Sequence, residues 1–211
     1  QNRPELYSLA ASRPAALVDS SHRIGVKERT SWSGRELVKL EKKSLDWLRG
    51  KVEQIDPEAI AVVLLYSYLN PGPEMRIAEI LESIAKPVSL SHKVLPEFRE
   101  FERTSATVIN AYLTPVISSY LSQLEDSQEL KGKKLRVMQS NGGTISASHA
   151  VKEPICTILS GPAAGVVGAF DVAQRAGFGS VITFDMGGTS TDVCLCNGGI
   201  TTTREATVAG L

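Results

Sequence analysis

The sequence predicts an α/β fold, and three stretches carry the prediction. The first is a strand–helix–strand succession: the apolar run Ile60–Tyr66, a helical segment Glu74–Ala85, and a short apolar run Val88–Ser91. Two strands joined this way lie parallel, with the helix as a right-handed crossover. The second is an apolar stripe from Thr104 to Leu124 at helical spacing, built from Val108, Ile109, Tyr112, Leu113, Val116, Ile117, Tyr120, Leu121 and Leu124. The third is Val181-Ile182-Thr183-Phe184-Asp185-Met186-Gly187-Gly188-Thr189-Ser190-Thr191-Asp192-Val193-Cys194-Leu195, which reads as strand, tight glycine turn, strand.

Composition bounds the function. The chain has 211 residues, 42% of them hydrophobic, enough for a core, and its 23 basic residues balance its 23 acidic ones. Zero net charge argues against a nucleic-acid or membrane-surface role, where a basic excess is expected. No apolar run approaches the roughly 20 residues needed to span a bilayer, and no signal-peptide pattern opens the chain. Three cysteines make no disulfide framework, and Cys194-x-Cys196 is not zinc spacing; both read as reduced thiols packing as small apolar groups.

Taken in order, residues 1–20 hold Pro4 and Pro14 with little periodicity and read as an irregular lead-in. His22 to Thr30 alternates as a strand would, with His22 a solvated residue at its start. Ser33 stands three residues before Glu36, a capping-box signature, and with Leu37, Leu40, Leu45 and Leu48 it predicts a helix from about 35 to 54. The apolar run from Ile60 suits a strand covered on both faces. Asn70-Pro71-Gly72-Pro73 is a turn, and Pro87 ends the helix after it. The resulting lobe spans 21–100. Polar residues past the end of its second strand stand where open α/β sheets bind ligands, so His92, Glu97, Glu100, Glu102 and Arg103 form one candidate cluster; a solvated loop leading into a helix explains them as well. The long helix and a charged loop after it fill 101–130, with Pro115 set to kink the helix.

From 131 onward the small residues concentrate. Leu135–Gln139 is a strand, and Ser140-Asn141-Gly142-Gly143-Thr144 after it is either a ligand loop or a plain turn before the next helix. His149 belongs to surface or helix packing. Ser160 can cap a helix whose first turn holds Pro162. Gly161, Gly165, Gly168 and Ala169 suit both close packing of that helix and anion binding at its N-terminus. Gly177-Phe178-Gly179 ends it, and Ile200–Val208 reads as a third strand of a meander.

The hairpin turn carries the most specific chemistry. Gly187 and Gly188 allow positive φ and close approach, and their N–H groups, with those of Thr189 and Ser190, can form a nest for phosphate oxygens. The hydroxyls of Thr189, Ser190 and Thr191 add donors. Asp185 and Asp192 repel phosphate unless Mg²⁺ lies between, through water in the usual manner of that ion.

That hairpin resembles the phosphate-binding hairpin of the acetate and sugar kinase, actin and heat-shock chaperone ATPase superfamily, and more closely its hydantoinase A/5-oxoprolinase branch, which includes acetone carboxylase subunits. Further runs resemble the same branch: Asn2-Arg3-Pro4-Glu5-Leu6-Tyr7, Leu65-Tyr66-Ser67-Tyr68-Leu69-Asn70-Pro71, Phe101-Glu102-Arg103-Thr104-Ser105 with Asn110-Ala111-Tyr112, Met138-Gln139-Ser140-Asn141-Gly142-Gly143, and Ser160-Gly161-Pro162-Ala163-Ala164-Gly165. The resemblance implies a ribonuclease-H-like (actin-like ATPase) fold, present in part, with 131–211 the start of its nucleotide-binding lobe. It implies an ATP-dependent hydrolase of cyclic amides, cytoplasmic, using ATP and Mg²⁺ with a hydantoinase B-like second subunit or domain. Asp185 and Asp192 would be catalytic and hold the metal. Gly187, Gly188, Thr189, Ser190, Thr191, Asn141, Gly142, Gly143, Ser160 and Gly161 would hold the nucleotide. A subunit of an acetone- or acetophenone-type carboxylase, or an inactive assembly module, are the alternatives. Full-length relatives carry an additional Asp-x-Gly-Gly-Thr hairpin upstream and a glycine-rich nucleotide segment downstream. Neither is present here, and with a first residue of Gln1 the sequence reads as a piece of a longer chain.

Overall fold

The computed structural model describes residues 16–130, 132–188 and 190–202. The predicted strand–helix–strand unit is present. β3 (Ile60–Val62) and β4 (Val88–Leu90) pair in parallel, Ile60 opposite Val88 and Val62 opposite Leu90. Between them run α2 (Gly72–Leu81) and a 3₁₀ turn over Glu82–Ile84. α2 begins at Gly72 rather than Glu74, because Asn70 Oδ1 accepts the Gly72 N–H and Pro73 is preorganised for a helical first turn. The strands stop after three residues each; the chain past Val62 turns at Leu64–Leu69 instead of extending to Tyr66.

Ahead of this unit the expected elements change places. His22–Thr30 is not a continuous strand: Ser20–His22 is a 3₁₀ turn, and only Arg29–Thr30 (β1) pairs. Glu36–Val38 is a strand (β2) antiparallel to β1, and the helix, α1, starts later, at Lys42–Ile55. The Ser33/Glu36 capping box therefore does not form. Ser31 Oγ accepts the Arg35 N–H across a hairpin turn whose Gly34 takes φ 78°, and Glu36 is drawn to Arg76 instead, at 2.6 Å. A tertiary ion pair has overridden a local cap. Leu40, Leu48, Val52, Val62, Ile77, Leu81 and Leu90 bury together as the core between α1, α2 and the parallel pair.

After a short helix α3 (Ser91–Val94), α4 runs over Glu100–Asp126, into the segment read as loop from Glu125. Its buried face is not the predicted apolar stripe. The buried residues are Arg103, Thr107, Asn110, Ala111, Thr114 and Leu121, while Tyr112, Val116 and Tyr120 are exposed. The helix turns a polar row inward because each member finds a partner. Thr107 and Thr114 donate to the carbonyls four residues back, and Asn110 donates to Ser89 Oγ and Lys152 O while accepting the Ile155 N–H. Only the C-terminal half is apolar inside. There Leu121 packs with Ala147 and Ala150 of α5 (Ala147–Lys152), beside Leu135 and Val137.

β5 (Arg136–Met138) and β6 (Thr144–Ser146) form an antiparallel hairpin, so the segment after Gln139 returns as a strand before any helix begins. A 3₁₀ turn over Pro154–Thr157 leads to α6 (Ser160–Arg175), closed by Gly177 at φ 86°. β7 (Ser180–Met186) and β8 (Thr191–Asn197) then form the predicted hairpin, with Asp185 directly opposite Asp192. α6 packs on one face, where Cys196 is buried and its thiol is pushed up by burial, as expected of an apolar strand. The other face is apolar and bare, with Ile182, Phe184, Met186, Val193 and Leu195 all exposed. Residues 200–202 carry no strand, and the rest of the expected third strand lies outside the described residues, as does most of the lead-in. No helix among the described residues is long and apolar enough to cross a membrane.

Candidate nucleotide site and a second polar cluster

The hairpin turn is closed by the Gly187 N–H donating to Ser190 O at 2.9 Å. Neither Gly187 nor Gly188 adopts the left-handed conformation expected of them; their value is space. A Cβ on Gly188 would meet nothing within 4 Å, so the backbone there is open to a ligand. Thr189 lies outside the described residues, while Ser190 is exposed and Thr191 pairs with Met186 at the first rung of the ladder.

Asp185 and Asp192 follow at the second rung, on one face and both exposed. Like charges facing each other across a ladder repel, and no cation among the described residues bonds either carboxylate. Such a pair fits a divalent cation, although no group of three or more His, Cys, Asp or Glu side chains able to hold a metal occurs among the described residues. The face they share is the one α6 covers. A Cβ on Gly165 would stand 3.8 Å from Asp185 Oδ2, so the glycine leaves the carboxylate free to lie along the second turn of the helix.

α6 also reaches the other predicted loop. Gly142 takes φ 83°, and a Cβ there would meet Val167 Cγ2 at 2.9 Å. The Asn141 side chain accepts the Gly143 N–H at 2.8 Å and shapes the turn, and Gln139 N–H donates to Gly143 O. The structure thus gathers Asn141, Gly142, Gly143 and Asp185 around one helix. Ser160 does not cap that helix: Leu159, in the left-handed conformation at φ 58°, holds the capping position, and Ser160 is the first helical residue. Close packing through Gly161 and Gly168 also fails, since a Cβ on either would meet open space.

The second candidate cluster divides. Glu97, Glu100 and Glu102 expose their side chains. His92 and Arg103 are drawn inward, around a residue that nothing in the sequence singled out, Glu74. Its carboxylate is fully buried and accepts four hydrogen bonds: from Leu64 N–H and Ser91 Oγ on Oε1, and from His92 N–H and His92 Nδ1 on Oε2. Ser91 receives in turn the Ser67 hydroxyl at 2.8 Å. Arg103, also fully buried, donates to Glu97 O and Leu64 O and lies 5.4 Å from the Tyr68 ring centroid. An acid in the first turn of a helix after Pro73 is the one sequence signal Glu74 offered, and it is a common one.

The hydantoinase/oxoprolinase family profile matches residues 103–211, and that of the hydantoinase/oxoprolinase N-terminal region matches residues 1–85. The chain belongs to the hydantoinase/oxoprolinase family. Among solved structures it is similar to the ATP-dependent caprolactamase of Pseudomonas jessenii, with TM-score 0.76 and 32% identity over 89% of this chain and 28% of that one. It is also similar to nucleotide-free acetone carboxylase, with TM-score 0.73 and 34% identity over 84% of this chain and 26% of that one. 5-Oxoprolinase 1 of Arabidopsis thaliana is 32% identical across the whole chain, which covers 18% of that protein. The chain spans about a third or less of the length of the curated relatives it matches.

Proposed function

We propose that this chain is part of an ATP-dependent cyclic-amide hydrolase of the hydantoinase/5-oxoprolinase type, and that the β7–β8 hairpin is its phosphate site. The observation that carries the reading is the Asp185/Asp192 pair: two exposed carboxylates face each other with no cation from the described residues between them, beside an open glycine turn and the second turn of α6. Gly187 shapes the turn, its N–H being bonded to Ser190 O; the backbone N–H groups of Gly188, Thr189 and Ser190, with the Thr191 hydroxyl, hold phosphate oxygens, and Asn141, Gly142, Gly143, Ser160 and Gly161 border the nucleotide. Asp185 and Asp192 would hold Mg²⁺, which would screen the phosphate charge.

The work of such a site is positioning and electrostatics. A lactam is a poor electrophile because nitrogen donates into its carbonyl. Attack of the amide oxygen on the γ-phosphorus of ATP, with loss of ADP, turns that oxygen into a leaving group, and water then opens the ring. The relatives supporting this reading are named caprolactamase and 5-oxoprolinase. The likeness to acetone carboxylase supports a second reading, in which a ketone oxygen is phosphorylated and the enol phosphate meets carbonate. The ribonuclease-H-like fold is part of the proposal, supported by the hairpin covered by a helix on one face and apolar on the other. So is a second, hydantoinase B-like subunit, since several relatives are named as subunits. A cytoplasmic location fits the three free cysteines.

Calorimetric titration with Mg·ATP, for the natural chain and for Asp185→Ala, tests the site. Binding that weakens at least about tenfold in the variant is expected, equivalent to about 1.4 kcal/mol. Equal binding by both proteins removes the hairpin from the nucleotide site. Heat from neither protein points to the assembly-module alternative for this chain by itself.

A further inference from the structure

The cluster at the C-terminal edge of the β3–β4 pair is left unused by the hairpin chemistry. The Glu74 carboxylate has four acceptor positions, and four donors fill them. The ring nitrogen Nδ1 of His92 is one of those donors, so in the neutral ring the lone pair resides on Nε2. Among the described residues Nε2 has no hydrogen-bond partner, and it is not one of their sealed polar atoms, although the His92 side chain is only 12% exposed. A general base needs one ring nitrogen held by a partner and the other left with its lone pair free. Here one nitrogen is fixed by a buried carboxylate and the other is presented, at the edge of a parallel pair where α/β sheets place ligands. Arg103 holds the arrangement from behind: it binds the carbonyl of Leu64, whose N–H is one of the donors to Glu74.

The geometry points to His92 as a general base that removes a proton from the atom next to a substrate carbonyl, with Glu74 holding the ring and stabilising the imidazolium. The substrate class is a small molecule bearing N–H or C–H beside C=O. The inference rests on the reading above that a carbonyl oxygen takes the phosphoryl group. An amide phosphorylated on oxygen while keeping its N–H bears a positive charge. Transfer of that proton to Nε2 leaves an O-phosphoimidate with no charge on its C=N unit: the N–H electron pair stays on nitrogen as its lone pair, the carbonyl oxygen is bonded to phosphorus, and ADP has departed with the electrons of the broken P–O bond. For a ketone the same step breaks an α C–H bond and forms the C=C of the enol phosphate. Both candidate reactions thus need one base of the same kind, and His92 supplies it without asking which substrate is correct.

Two measurements test it. In ¹H–¹⁵N correlation spectra of this chain, neutral His92 is expected as the Nδ1–H tautomer with an unprotonated Nε2; an Nε2–H tautomer overturns the assignment by itself. In the whole protein, His92→Gln is expected to lower carbonyl-dependent ATP hydrolysis by about 10²–10⁴-fold, with ATP affinity within about twofold. The probes are 5-oxo-L-proline, hydantoin, ε-caprolactam and acetone, and added imidazole is expected to restore turnover to His92→Ala. A loss below about threefold, or a His92→Ala variant that imidazole does not rescue, refutes the base. A natural protein that binds ATP but turns over none of the four probes refutes the functional reading and this step with it.

Discussion

Two acidic sites in this molecule stand in opposite conditions. At the β3–β4 edge, Glu74 is fully buried and every acceptor position is filled by a neighbour. At the β7–β8 hairpin, Asp185 and Asp192 are exposed, face one another and have no cation among the described residues. A carboxylate can leave water only where donors replace its hydration, so the first site must be finished by folding. The second has no compensating cation among the described residues and stays hydrated at the surface. The first is thus part of the fold's stability as well as a positioning device, and the second is free to serve binding at little cost to the fold.

The sharpest way to break that contrast is to remove each acid in turn. Glu74→Ala strands four donors and is expected to cost about 3–5 kcal/mol of stability. Asp185→Ala should change stability by less than about 0.5 kcal/mol, since it relieves repulsion at the surface. Urea denaturation of both variants checks the difference; similar losses would erase the distinction. The turn bordering the hairpin helix gives a smaller effect. Gly142→Ala puts a Cβ at positive φ and 2.9 Å from Val167 Cγ2. A loss of about 1–2 kcal/mol is expected by the same measurement.

A loss smaller than that of Gly142→Ala concerns a third acid, intermediate between the two. The Arg76 hydrogen bond to Glu36, with Coulomb attraction beside it, holds the Glu36 carboxyl below the usual carboxylate range despite partial burial. The folded value lies below the unfolded one. The pair therefore stabilises the protein above the ordinary glutamate range, and the contribution is lost as pH falls through that range and below it. Because the Arg76 side chain is 36% exposed, solvent screening limits the pair to about 0.5–1 kcal/mol. Glu36→Gln should remove that increment at pH 7 and flatten the acid limb of stability, as thermal unfolding across pH would show.

The sequence by itself determined the elements whose information is local. The parallel unit follows from two apolar runs flanking a helical segment, and the β7–β8 hairpin from apolar strands around Gly187-Gly188. The long α4 follows from periodicity strong enough to survive Pro115. The candidate-site residues Asp185 and Asp192 were legible for the same reason: their oddity is visible in fifteen consecutive residues. Tertiary structure decided what depends on distant partners. Glu36 left a helix cap for Arg76, forty positions away, and a predicted helix start became a strand. α4 turned Thr107, Asn110 and Thr114 inward and left Tyr112, Val116 and Tyr120 outside: Asn110 found Ser89, Lys152 and Ile155, while Thr107 and Thr114 are satisfied by carbonyls of their own helix. Glu74 became the centre of a buried network only when folding brought Leu64, Ser91 and His92 around it. A carboxylate's place in a protein is set by the donors that reach it, and those donors come together only when the chain is folded.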